Sequence, residues 1–318
     1  MKIINFLRNW TLIIAILAGV FGYFIYVNIP FLDGTHEFAY NAIKITQPIL
    51  IFSMLFLTFC KVNPKRLRFC RWHLWLLLFQ ALSFSLLAGL FLLLPLGNHG
   101  VLIEGAMICL ICPTATAGAV ITKKLGGNVT HITTYTILIN LVTAILIPAF
   151  VPLIHPESSM SLFTSATLIL GKVFPLLLFP LLLAFLVRYL FPKLHLLFYR
   201  NQEVAFYLWA VALALAMAIT TRSIVHTKVP ISTQLWLVVV SLVCCVLQFY
   251  LGRKVGFNYH DKVAAGQSLG QKNTVLAIWM GYTFFSPITS LVGGFYSIWH
   301  NVINTMQLYE YRKKKEKG

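Results

Sequence analysis

Lys272 is the residue whose type and setting most constrain the chemistry of this sequence. It lies eleven residues after Asp261, in the strip Ala265-Gly266-Gln267-Ser268-Leu269-Gly270-Gln271-Lys272-Asn273-Thr274, and a long apolar run follows. An ammonium at membrane depth costs about 2.5–3.5 kcal/mol, and such residues face a cavity or a partner. It can pair with an anion, stand where another cation would bind, or carry a proton. A lysine that merely stretches to an interface is the plainer alternative. A second polar strip, Cys112-Pro113-Thr114-Ala115-Thr116-Ala117-Gly118, interrupts another apolar run. Gln80, Thr114, Thr116, Ser268, Gln271, Asn273 and Thr274 supply hydroxyls and amides that can line a site with Lys272, although interhelical hydrogen bonds use the same groups. No nucleophile–base pair or phosphate loop accompanies them, so no catalytic residue is assigned and an enzyme is not expected. Cys109 and Cys112 form one C-x-x-C with no second pair and no nearby His, which argues against a four-ligand zinc site.

The elements that must position these residues read as membrane helices. Hydrophobic residues make up 59% of the chain and charged residues 10%, with a mean hydropathy of +0.82. Soluble domains are about a quarter charged. The apolar runs are continuous and long enough to span a bilayer as helices, unlike the short alternating segments of a barrel. Ten helices are expected, over 9–28, 40–60, 72–95, 102–122, 129–154, 162–191, 204–222, 232–252, 261–284 and 286–308. The run from Trp10 to Val27 is long for a signal peptide, and no A-x-A site follows it.

A net charge of +17 would point to nucleic acid in a soluble protein. Here it reports topology, and nucleic acid is not an expected partner. With both termini cytoplasmic, 20 of the 25 Lys and Arg fall in cytoplasmic segments, and only Arg222 and Lys228 fall outside. That asymmetry is the positive-inside rule. The run Arg312–Lys317 reads as an anchor at anionic headgroups of the lipid bilayer. Lys44 and Glu104 are expected at the outer interface, as is Glu157 in the connection between helices five and six. Asn128-Val129-Thr130 matches a glycosylation acceptor but falls on the cytoplasmic side.

Ten helices divide into a first half, 1–155, a second half, 156–308, and a basic tail, 309–318. Two five-helix halves enter the membrane from opposite sides, as inverted repeats do. The corresponding members, helices four and nine, are the two that carry the polar strips. Interrupted segments at matching places in the halves are the best pointer in sequence to a transport site.

At these residues the sequence resembles the bile acid:sodium symporter family. Phe79-Gln80-Ala81 sits where the family has a sodium-site glutamine. Cys112-Pro113-Thr114-Ala115-Thr116-Ala117-Gly118-Ala119 resembles its C-P-G-G-T-A-S-N, and Gly127-Asn128-Val129 its G-N-V. Lys172-Val173-Phe174-Pro175 through Pro180 and Arg188 follows its helix six. Ser268-Leu269-Gly270-Gln271-Lys272-Asn273 lies over its E-x-G-x-Q-N, and Tyr296-Ser297-Ile298-Trp299-His300-Asn301 is similar to its helix ten. The resemblance implies a panel of helices one, two, six and seven and a core of the other six. Helices four and nine would cross at their breaks, with an organic anion between core and panel and sodium near the crossing.

The departures matter as much as the match. Where the family has a Ser-Asn pair, a Glu and a Gln, this chain has Gly118, Ala119, Ser268 and Lys272, and a further Ser becomes Ile132. Gln80 and Thr136 persist. Sodium is a hard cation that wants several oxygens. It is the one ion the resemblance brings, and the substitutions argue against it; no cofactor is expected. The expectation is therefore an all-α polytopic inner-membrane protein of two inverted five-helix repeats. It would transport a small organic anion by alternating access, with a ligand-binding membrane sensor of the same fold as the alternative. Substrate identity and oligomeric state are not legible.

Overall fold

Proline, glycine and polar residues set where the apolar runs break in the structure, a computed structural model that describes residues 2–95, 97–156, 160–201 and 203–317. Glu157 lies outside the described residues. The helices are α1 (Lys2–Val27), α2 (His36–Phe59), α3 (Arg71–Leu93), α4 (Gly100–Ile111), α5 (Ala117–Lys124), α6 (Val129–Ile154), α7 (Leu162–Leu190), α8 (Pro192–Arg200), α9 (Glu203–His226), α10 (Ile231–Phe257), α11 (Lys262–Gly270), α12 (Thr274–Phe284) and α13 (Ser290–Lys317). Among the described residues, six segments are long and apolar enough to cross a membrane: Pro30–Phe59, which runs through a 3-10 turn into α2, and α3, α6, α7, α9 and α10. The chain is a multi-pass membrane protein by these segments.

Expected helix four is two helices, α4 and α5, and expected helix nine is α11 and α12. One helix was not expected. α8 fills what read as a connection, opening with Pro192 in its first turn and closing on Arg200, both favourable placements for a helix end. The basic C-terminal residues belong to α13, which runs unbroken to Lys317. Asn128 of the glycosylation pattern is the N-cap of α6; its side chain accepts from the amides of Thr130 (2.9 Å) and His131 (3.2 Å), as Asn does best at that position.

The chain forms two compact units, one of residues 1–61 and 179–228, the other of residues 62–178 and 229–318. The resemblance gives helix six whole to the panel; the structure divides α7 at Leu178 between the two. In the first unit α1 and α2 pack on α9. Gly19 permits the approach, because a Cβ there would lie 2.7 Å from that of Met217. Gln47 Nε2 donates to the Ala212 carbonyl across the interface at 3.0 Å.

In the second unit the closest packing is α10 on α11, and it is built on glycine. A Cβ at Gly252 would sit 2.6 Å from the Ala265 carbonyl oxygen, and one at Gly256 would sit 2.7 Å from that of Asp261. From the other side Gly266 abuts Arg253 and Gly270 abuts the Phe249 ring. Two small-x-x-x-small stripes thus face each other, as in close membrane helix pairs. Asp261, just ahead of α11, accepts from Trp72 Nε1 of α3 (3.0 Å) and lies 2.6 Å from His131 Nδ1 of α6. A carboxylate at a helix N-terminus also meets the positive end of its dipole.

Candidate functional site: the crossing of two broken helices

α4 ends because Pro113 has no amide to donate and pushes the residue before it out of the helical region. Cys112 accordingly has ψ 130° and makes the last helical bond, to Ile108 O. α11 ends at Gly270, and Gln271 is extended. The two extended breaks pair antiparallel, Thr114 against Lys272. Ala115 N donates to Gln271 O (2.7 Å) and Asn273 N to Pro113 O (2.9 Å). α12 restarts with the Asn273 side chain accepting from Leu276 N at 3.3 Å.

Breaking a helix leaves carbonyls without partners, and in an apolar medium each must find one. Those of α4 are met one by one. Cys109 O accepts from Gln248 Nε2 (3.1 Å) and Ile111 O from Thr143 Oγ1 (3.0 Å). Leu110 O accepts from both Gln80 Nε2 and Lys272 Nζ, the latter at 3.1 Å. At the end of α11, Ser268 O accepts from Thr114 Oγ1 (2.6 Å) and Gly270 O from the Tyr296 hydroxyl (2.9 Å).

Lys272 is 1% exposed and has no carboxylate partner among the described residues. Its ammonium rests on the Leu110 carbonyl in the last turn of α4, where the helix dipole is negative. Half-helix C-terminal ends with unwound carbonyls can hold a cation, and here a side-chain ammonium lies against one. A sodium ion does not fit these residues. Among the described residues no carboxylate faces the crossing, and the Gly118 position is closed by apolar packing. A Cβ there would lie 3.0 Å from Ile132 Cδ1 and 3.4 Å from Thr114 Cγ2.

The structure brings Gln80, Thr114, Ser268, Gln271, Lys272 and Asn273 to the crossing. Gln80 Oε1 accepts from the Tyr135 hydroxyl, and Gln271 Oε1 from Asn304 Nδ2. Ser268 is fully buried, with its hydroxyl unpartnered. Thr274 is buried in the first turn of α12. The other two expected residues do not join by hydrogen bond. Thr116 is half-buried ahead of α5, and the Thr136 hydroxyl bonds back to Ile132 O in its own helix.

Tyr135, Thr143, Gln248, Tyr296 and Asn304 were not anticipated as parts of the crossing. Each is a polar residue within an apolar run, which is the only mark it leaves in sequence. Glu104, expected at the outer interface, is packed inside the protein and 2% exposed. Its carboxylate accepts from Ser286 N (2.8 Å) and Ser286 Oγ (3.1 Å), and His155 Nε2 lies 3.2 Å away. The turn after α12 folds over it and removes it from water.

The sequence model of the SBF-like CPA transporter family matches residues 9–308. The uncharacterized sodium-dependent transporter YocS of Bacillus subtilis (strain 168) is 27% identical over 225 residues, 67% of this chain and 65% of that protein. The chain thus spans just under two thirds of the length of the curated relative it matches.

Proposed function

Since the chain belongs to the SBF-like CPA transporter family, we propose that it is a secondary transporter that moves a small organic anion across the cytoplasmic membrane by alternating access, without a sodium requirement. The observation that carries this reading is the Lys272 ammonium, 3.1 Å from the Leu110 carbonyl at the crossing of two broken helices. The relative YocS is named sodium-dependent, and in this chain a tethered cation holds the equivalent charge. Two unit charges 4 Å apart repel by about 4 kcal/mol at an effective dielectric of 20, so a protonated Lys272 disfavours a sodium ion beside it. The half-helix α12 turns its N-terminus toward the same crossing and contributes a positive dipole end for an anionic group.

Uptake of candidate organic anions into proteoliposomes, in sodium and in choline at fixed pH, tests the reading. Equal uptake in both is expected, and a strong sodium requirement would overturn it. A membrane sensor of the same fold would bind anions yet show no counterflow, so counterflow in the same liposomes separates the two.

A further inference from the structure

The first unit contains an open-sided cavity of about 430 Å³ lined by α1, α2 and α9. Its polarity runs along its length. Ala18 and Gly22 of α1, Ile43 of α2, and Leu215 and Ala218 of α9 give it apolar walls. One and two turns further along the same face of α9 stand Arg222 and His226. From Ala18 to Tyr26 along α1 the lining extends about 12 Å.

The polar end is cationic. The Arg222 guanidinium lies 3.9 Å from the centroid of the Tyr40 ring, and the Lys44 ammonium lies 4.2 Å from the same ring. Neither cation is in an ion pair with a carboxylate among the described residues. Two cations sharing one ring, neither held in an ion pair among the described residues, put positive charge at the polar end of an apolar slot. Such a site matches an anionic headgroup joined to a hydrocarbon chain, with the planar Arg fork meeting phosphate oxygens in pairs. The surroundings supply that ligand: Phe21, Ile25 and Phe38 on the flanking helices are 58%, 63% and 76% exposed, as residues facing acyl chains are.

We propose that this cavity binds an anionic phospholipid, with its phosphate at Arg222 and one acyl chain laid between α1, α2 and α9. The site lies wholly within the first unit and is distinct from the Lys272 crossing, so it stands whether or not the protein transports. Gly22 is the handle for testing it, because it lines the slot and an added Cβ there meets nothing within 4 Å, so a larger side chain extends into the space the acyl chain would take.

Lipid binding is measured by native mass spectrometry of the full chain released from neutral detergent, with phosphatidylglycerol, phosphatidylcholine or dodecanoate added. The wild type is expected to hold phosphatidylglycerol at least tenfold more tightly than phosphatidylcholine. Arg222→Gln should erase that preference, Gly22→Leu should weaken both lipids at least tenfold, and Lys228→Gln, at an exposed lysine of the same unit, should change neither. Equal affinity of the wild type for the two lipids, or unchanged binding in Gly22→Leu, overturns the site. Preferential binding of dodecanoate overturns the assignment to lipid, since the slot would then serve a free anion.

Discussion

At the scale of single residues, the Leu110 carbonyl organises the site. It takes hydrogen bonds from Gln80 and Lys272 together, and hydrogen bonds to a charged group contribute about 1.5–3 kcal/mol. Lys272→Gln keeps a donor of similar reach but removes the charge. Uptake of the organic anion in liposomes should fall about tenfold or more, and unchanged uptake would mean that the ammonium serves only to fill space. The double change Ser268→Glu with Lys272→Gln restores two of the family's ligand types, but Gly118, Ala119 and Ile132 remain. Sodium stimulation measured in the same assay should be partial at most. Glu104→Ala leaves the Ser286 amide and hydroxyl without their acceptor, which costs about 1–3 kcal/mol in a buried setting. A lowered melting temperature in detergent is expected, and a melting curve superimposed on the wild type would show that the turn after α12 is held by other contacts.

At the scale of elements, the α10–α11 pair can be broken by a single methyl. Gly252→Ala places a carbon against the Ala265 carbonyl, and overpacking of this kind typically costs about 1–3 kcal/mol. Gly89→Ala in α3, where an added Cβ meets nothing within 4 Å, should be neutral or stabilising by about 0.5–1 kcal/mol, since alanine is the better helix former. Thermal melts of the two variants side by side check the contrast; equal destabilisation would remove the packing argument. The stripes Gly252-x-x-x-Gly256 and Gly266-x-x-x-Gly270 stood in the sequence with the spacing that marks such contacts, yet nothing local says which helices meet through them. The breaks at Pro113 and Gly270 were legible for the opposite reason, because a missing amide or a missing Cβ acts on its own backbone. Tyr135, Tyr296 and Asn304 were not, since a polar residue in an apolar run does not name the carbonyl or amide it will meet across 26 to 55 residues of chain. α8 is not legible because nine residues that open with a proline read as a connection unless Pro192 is taken as a start signal.

At the scale of the whole molecule, the basic loops predict ten crossings with both termini cytoplasmic. Reporter fusions at Lys65 and Lys228 should read inside and outside respectively, and the same reading at both would sink that topology. The tethered cation also bears on the energetics of a complete cycle. A sodium ion that enters from one face and leaves at the other carries the work of its gradient into the movement of its companion. Lys272 is bonded to its own backbone and makes no such journey. In the proposed cycle, while Lys272 keeps its proton, each turnover returns the charge to where it began, and the only free energy available is that of the cargo itself. Net flux then stops when the cargo's electrochemical potential is equal on the two sides. Cells would use such a protein to equilibrate or exchange an anion, and concentrating it would fall to whatever chemistry consumes it after entry.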